Sequence, residues 1–310
     1  MPLQNQIHIN KALENISVAY KVEGLIADQF TSMVPVVHET DSYFVYTKDN
    51  FRLEQDNRAI GARAAQVSYN LSTASYKLEE YALASQVPDR LKANADKAIR
   101  LDIEATEDLT GRILLRREER LANLLTTVAN WSNTSLTSTL AWTQNTTLSD
   151  PIIQVDSAAS VIVQNSGKMP NTLLINYRTF LGAKEHVSVV DRIKYTSPES
   201  VSEALLSRLF GVDRLLVGRA IRNTADENLA DTMAYIWSDV AVLAFVERAP
   251  GLRRASAVYT LQSNMGGAGG PFRVRTWREE ETESDMIEVS SMFQHKAVAS
   301  DCAYLLVDTA

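Results

Sequence analysis

Apolar positions recur along Pro88–Trp131 with a helical period that no other stretch of the chain matches. Leu91, Ala95, Ile99, Ile103, Thr106, Leu109, Ile113, Arg117, Leu121, Leu125 and Val128 advance in steps of three or four, and only Thr106 and Arg117 are polar. Ten steps cover 37 residues, a mean of 3.7. That period predicts one amphipathic helix with an apolar stripe along its length. A long coiled coil would keep 3.5, so the stripe predicts a straight helix lying on a protein surface rather than a zipper seam. The helix would reach roughly 60 Å, longer than a compact domain of this size is wide. Pro88 and Asp89 suit its first turn, and Gly111 is where it would bend.

The flanking patterns are shorter. Asn10–Ala27 has room for a short helix, with Leu13, Ile16 and Tyr20 on one side. The apolar run from Phe30 to Val37 is kept extended by Pro35 and reads as an arm lying on another element. Tyr43–Tyr46 is a strand run, and Val67, Tyr69 and Leu71 alternate with polar residues as a second. About 20 polar residues between them predict a long projecting hairpin that touches a neighbouring subunit, against a plain surface loop as the alternative. A Ser/Thr/Asn-rich connector spans residues 132–150. An alternation of helices and strands follows, with Gly167 and Gly211 as helix stops, Asn176 as a cap, Ser197-Pro198-Glu199 as a helix start, and Thr172–Ile175, Leu215–Val217 and Ala241–Val246 as strands. Strands return at Ala257–Leu261, Phe272–Thr276, Ile287–Val289 and Tyr304–Val307, where they would support the long helix. The α/β stretch is therefore expected to be an insertion between the helix and its sheet.

Charge and composition narrow this picture. Between Asp89 and Arg120 eight basic residues balance eight acidic ones. A net charge of −7 argues against dedicated nucleic-acid binding. No apolar run approaches the ~20 residues that span a bilayer, and no secretory signal is visible at the start. A single cysteine, Cys302, excludes an intrachain disulfide and reads as a small buried apolar residue. His8, His38, His186 and His295 are scattered without ligand spacing and read as surface or capping residues. The glycines at 266–270 precede Pro271 and a strand, which marks a hairpin tip rather than a phosphate cradle. Glu279–Glu283 reads as a solvated acidic turn. No catalytic, cofactor-binding or metal site is expected from these patterns.

The order of parts, with Pro170–Asn176 followed by Phe180-Leu181, and Glu203–Val212 followed by Asp213–Gly218, resembles the major capsid proteins of tailed bacteriophages. Two details carry it, a helix ending in Phe210-Gly211-Val212 and a strand ending in Val217-Gly218. The resemblance implies an α+β chain of the Hong Kong 97-like capsid fold, with a long spine helix, an extended β-hairpin loop and an inserted α/β axial domain. It divides the chain into an N-terminal arm (1–40), an extended loop (41–80), a peripheral domain (81–149) holding the spine helix (88–131), an axial domain (150–255) and returning peripheral strands (256–310). It implies self-assembly of hexamers and pentamers into an icosahedral shell around packaged double-stranded DNA, contacted only loosely. The expected function is structural rather than enzymatic, with no cofactor and no membrane. The further partners would be a portal protein, a separate scaffolding protein unless the sequence is the mature form, and a decoration protein in some shells. Localisation would be the virion, after assembly in the host cytoplasm. Lys48, Arg52, Glu54, Arg58 and Arg63 of the extended loop are the expected inter-subunit contacts.

Two other readings remain at this stage. One is an encapsulin-type compartment with the same fold and a protein cargo. The other is an α/β enzyme with a pocket near the strand ends at Ile175 and Val217.

Overall fold

A computed structural model describes residues 23–309, apart from 47, 55, 62, 68–69, 95–100, 136–140, 145–148, 195–200, 252–253, 264–270 and 308. The chain opens with a one-turn helix α1 (Ala27–Phe30), then β1 (Ser32–Val36), the hairpin strands β2 (Thr40–Tyr46) and β3 (Leu71–Lys77), and β4 (Glu79–Pro88). The spine follows as α2 (Asp89–Asn94) and α3 (Leu101–Thr126). Next come β5 (Thr134–Ser135), α4 (Pro151–Ser166), β6 (Thr172–Asn176), α5 (Tyr177–Glu185), α6 (Val187–Ile193) and α7 (Glu203–Leu209). Strands β7 (Arg214–Gly218), β8 (Ile221–Asn223), β9 (Met233–Tyr235) and β10 (Val240–Ala244) complete the alternating part. The chain ends through β11 (Val258–Ser263), β12 (Arg273–Glu279), β13 (Ser284–Ala297) and β14 (Ala303–Val307).

Two five-stranded sheets organise these elements. In the first, β13 is the central strand: β4 lies along one side, β12 and then β11 along the other, and β1 adds to β11 in parallel. The N-terminal half of α3 packs on this sheet through Leu109 and Ile113 against Val87, Ile287 and Val289. The second sheet has the order β5-β14-β10-β6-β7, with β10 in the middle. Its strands alternate between two cores, as a pleat requires. Leu173, Ile175, Ala241 and Leu243 face Ile152, Val155 and Ile162 of α4 and Leu206 of α7. Leu174, Val242 and Leu305 face Leu121, Ala122 and Leu125 of α3. Both faces are covered, which is why Ala241–Val246 reads as an unbroken apolar run. The C-terminal half of α3 is thus a wedge between the two sheets.

Several sequence expectations need correction. Pro88 ends β4 instead of opening the helix, and Asp89 begins α2. The α-helix stops at Thr126, and Val128–Asn130 is a short 3-10 turn. Within α3 the stripe is buried only from Leu109 to Leu125, whereas Ile103 is 48% exposed. The second hairpin strand is Leu71–Lys77, displaced from Val67–Leu71, because pairing with β2 rather than local alternation sets its limits. The last helix before β7 starts at Glu203 with Ser202 as its cap, and residues 195–200, where a start was expected, lie outside the described residues. The chain does not finish as one set of strands under the spine. After β13 it crosses to the second sheet, where β14 pairs with β10, because its Ala303, Leu305 and Leu306 complete both cores there. The expected helix in residues 10–27 falls almost wholly outside the described residues, and so does the Gly266–Gly270 turn.

Leu121 is fully buried at the wedge. Leu121→Ala is therefore expected to lower the unfolding free energy by about 2–5 kcal/mol. Ile103→Ala, on the same stripe but half exposed, should cost less than about 1 kcal/mol. Paired denaturant titrations of the two variants check both values.

Candidate assembly surfaces and the buried hub behind them

Two polar residues, Arg117 and Glu118, interrupt the wedge and are buried in it. The fully buried carboxylate of Glu118 accepts the backbone N–H of Ile26 at 3.1 Å, that of Ala27 at 2.8 Å, and the indole N–H of Trp237 at 2.8 Å. It therefore caps the first N–H groups of α1, which have no partners inside the helix, and ties the β9–β10 connection to the spine. Burial pushes the Glu118 carboxyl above its ordinary value, against the pull of the three donors. Arg117 is 1% exposed. Its Nη2 lies 2.7 Å from Asp28 Oδ1, and its guanidinium carbon lies 4.9 Å from the Phe293 ring centre. Trp237 in turn sits on Gly218, where an added Cβ would fall 2.4 Å from its ring. The strand ending in Val217-Gly218 ends on glycine because the indole occupies the side-chain space.

Charged contacts hold the start of the spine. Arg278 of β12 meets Asp89 at 2.6 Å and Asp285 at 3.3 Å, and Lys92 meets Asp102 at 2.8 Å and Asp285 at 2.6 Å. These pairs are exposed to solvent and screened by it, and they tie the first helical turn to the β12–β13 hairpin.

The histidines divide. His186 caps α6, accepting Ser188 N–H through Nδ1. His295 is neither a surface residue nor a cap: it lies in β13, its Nδ1 2.9 Å from Thr260 Oγ1, and burial beside Arg117 and Arg120 lowers its pKa to about 3. His38 is exposed, and His8 lies outside the described residues. Cys302 is buried and free. Ile175 and Val217, the strand positions where an enzyme pocket was sought, are buried in the core. Among the described residues no group of three or more His, Cys, Asp or Glu side chains has metal-binding geometry.

The extended hairpin rests on the first sheet through Tyr43 and Tyr76 against Leu78, Leu261 and Met292. The named charged residues do not act as one group. Lys48 pairs with Asp301 of its own chain at 2.6 Å, Arg52 pairs with Asp49 at 3.1 Å, and Glu54, Arg58 and Arg63 are exposed. The neighbouring Phe51 ring touches Gly167. Leu53 and Ile60 are fully exposed and Phe51 and Val67 largely so. Sequence reasoning selected charge in this loop and passed over Phe51, Leu53 and Ile60, which carry no period, while Val67 was assigned to a strand. A second exposed apolar group lies on the small β8–β9 hairpin, at Ile221, Leu229 and Met233.

A long helix on a sheet, an extended hairpin and an α/β unit built on a second sheet make up the Hong Kong 97-like fold. No protein-family model matches the chain. It is 26% identical over 307 residues to the major capsid protein of Burkholderia phage BcepMu, a match covering 96% of this chain and 95% of that protein. Among solved structures it is similar to a phage-related protein of Bordetella bronchiseptica RB50, with a TM-score of 0.71, 23% identity and 93% of each chain covered. It is also similar to the capsid of cyanophage P-SCSP1u, with a TM-score of 0.67, 10% identity and coverage of 97% of this chain and 93% of that one. The SrpI encapsulin of Synechococcus elongatus PCC 7942 matches at a TM-score of 0.56 and 16% identity, over 96% of this chain and 94% of the encapsulin. The resemblance to tailed-phage major capsid proteins thus rests on sequence and fold together.

Glu118→Gln leaves one acceptor oxygen for three N–H donors and is expected to cost about 1–3 kcal/mol in thermal or denaturant unfolding. The raised carboxyl value gives the wild type a pH signature. Its contribution is fully present below the unfolded-state value and is lost as pH rises through the higher folded-state value. That slope should vanish in Glu118→Gln when unfolding midpoints are compared across this range.

Proposed function

We propose that the chain is the major capsid protein of a tailed phage, assembling as hexamers and pentamers into the icosahedral shell that encloses packaged DNA. One observation carries this reading: a relative named as a phage major capsid protein aligns over nearly the full length of both chains, on a fold shared with solved phage capsids. Its work is geometric, not catalytic. The two sheets share the spine in their cores, and the exposed surfaces include an apolar hairpin, an apolar β8–β9 tip and, among the described residues, an unpaired edge of β12. The net charge of −7 suits a container whose contents must slide in and out without being gripped by their phosphates.

The division into arm, extended loop, peripheral and axial domains belongs to the same proposal. So do a portal protein, a separate scaffolding protein and an optional decoration protein as partners, with assembly in the host cytoplasm and residence in the virion. The loop residues Lys48, Arg52, Glu54, Arg58 and Arg63 are assigned to the inter-subunit contact together with Leu53 and Ile60. An encapsulin-type compartment is the second reading, supported by fold alone.

Electron microscopy of the purified chain is expected to show rings or closed shells. Deleting Lys48–Gln66 should weaken assembly while leaving far-UV circular dichroism unchanged, and normal assembly of that deletion would refute the loop assignment. Particles recovered from phage-producing cells should contain DNA, whereas mass spectrometry finding a single enzyme and no DNA would favour the encapsulin reading.

A further inference from the structure

The hairpin of β2 and β3 is held to its own subunit at its root and at its tip, with open space between. At the root Tyr43 and Tyr76 pack on Leu78, Leu261 and Met292. At the tip the short 3-10 turn Lys48–Phe51 meets the body again. Lys48 Nζ lies 2.6 Å from Asp301 Oδ2, and the Phe51 ring lies over Gly167, where an added Cβ would come within 3.3 Å of it. The turn that holds Asp301 packs against α4, which Gly167 ends, so both contacts fall at one place. Between root and tip a groove of about 720 Å³ runs between Phe44 and Tyr46 on the hairpin and Pro250 and Ala299 on the body. Among the described residues β2 and β3 pair only with each other.

The tip contacts are suited to release. The Lys48 side chain is 57% exposed and that of Asp301 29%, so their attraction is screened by water and by salt. Phe51 keeps most of its surface exposed even on the glycine. Leu53 and Ile60, beyond the tip contacts, are fully exposed. The resting position therefore leaves apolar surface in water that burial against another surface would remove. A root packed in a small core and a tip held by screened contacts make the hairpin a strap hinged at its base.

Resting on the inter-subunit role proposed above for this loop, we infer that the Lys48–Asp301 pair and the seat of Phe51 on Gly167 form an autoinhibitory latch. They hold the hairpin on its own subunit before assembly and open when it reaches a neighbour. The closed and extended states exclude each other, because Lys48 and Phe51 anchor the tip in the closed one. An exposed pair of this kind shifts the ratio of closed to open hairpins by a factor of about two to five. Such a latch delays assembly without blocking it, and salt weakens it.

Asp301 tests the latch from the body side, with every loop residue left in place. Asp301→Asn is expected to assemble about two- to fivefold faster than wild type in light-scattering time courses, with circular dichroism unchanged. Added salt should speed the wild type more than the variant. The pair Lys48→Cys and Asp301→Cys closes the latch covalently: a short bis-maleimide should join the two positions within one chain. Lys48→Cys alone is the control, because the native Cys302 is buried. Cross-linked chains are expected to be left out of the shells that the same double variant forms without the reagent. No cross-link within one chain, shells that take up cross-linked chains freely, or an Asp301→Asn rate no higher than wild type would each overturn the latch and leave the shell reading intact. If neither the wild type nor Asp301→Asn forms shells, the shell reading fails and the latch falls with it.

Discussion

The carboxylate of Glu118 sits where three distant parts of the chain meet, and the arrangement of both sheets depends on it. It receives the start of α1, which leads into β1 of the first sheet, and the indole of Trp237, which leads into β10 of the second. A buried carboxylate is costly unless its oxygens are fully satisfied. Three convergent donors satisfy this one in a single arrangement of its neighbours. An apolar wedge made of Leu121 and Leu125 alone would tolerate rotation between the sheets, since hydrophobic contact has no direction. The hub adds direction.

That rigidity explains where assembly must be negotiated. The helices of the second sheet bury one face in its core and leave Ile153, Val163, Leu181, Val187 and Val190 exposed, as Ile103 is on the spine. Exposed apolar residues also lie on the hairpin between β2 and β3, on the β8–β9 tip and on β12. These are two-stranded or edge elements with little core of their own, and isolated two-stranded ribbons are marginal in water. Partner copies would supply the missing face. The Lys48–Asp301 pair and the Phe51–Gly167 contact show that the hairpin tip also has a resting place on its own subunit. Under the proposed inter-subunit role, reaching a neighbour would exchange these contacts rather than only add new ones.

Much of this was legible in the sequence, because local physics decides it. The period of the spine, the helix stop at Gly167, the buried strand at Thr172–Ile175 and the central strand near Ala241 each depend on residues close in the chain. So does the Phe210-Gly211-Val212 turn, where Gly211 takes φ 65°. The two polar residues on and beside the stripe were visible, but not their role. Nothing near Glu118 in sequence foretells that Ile26 and Trp237 will donate to it.

What the sequence alone determined is the period of the spine and the place of most of the buried strands and helix stops. What only the tertiary structure decided is which sheet each strand joins. β14 reads as one more return strand, yet it pairs with β10, because its alternate residues fill two cores that exist only once the insertion has folded. β12 reads as an ordinary alternating strand, and only the pairing of β13 with β4 on one side and β12 on the other leaves its far edge without a strand among the described residues. Pairing across hundreds of residues is set by burial and register, and those are properties of the assembled fold rather than of any window of sequence.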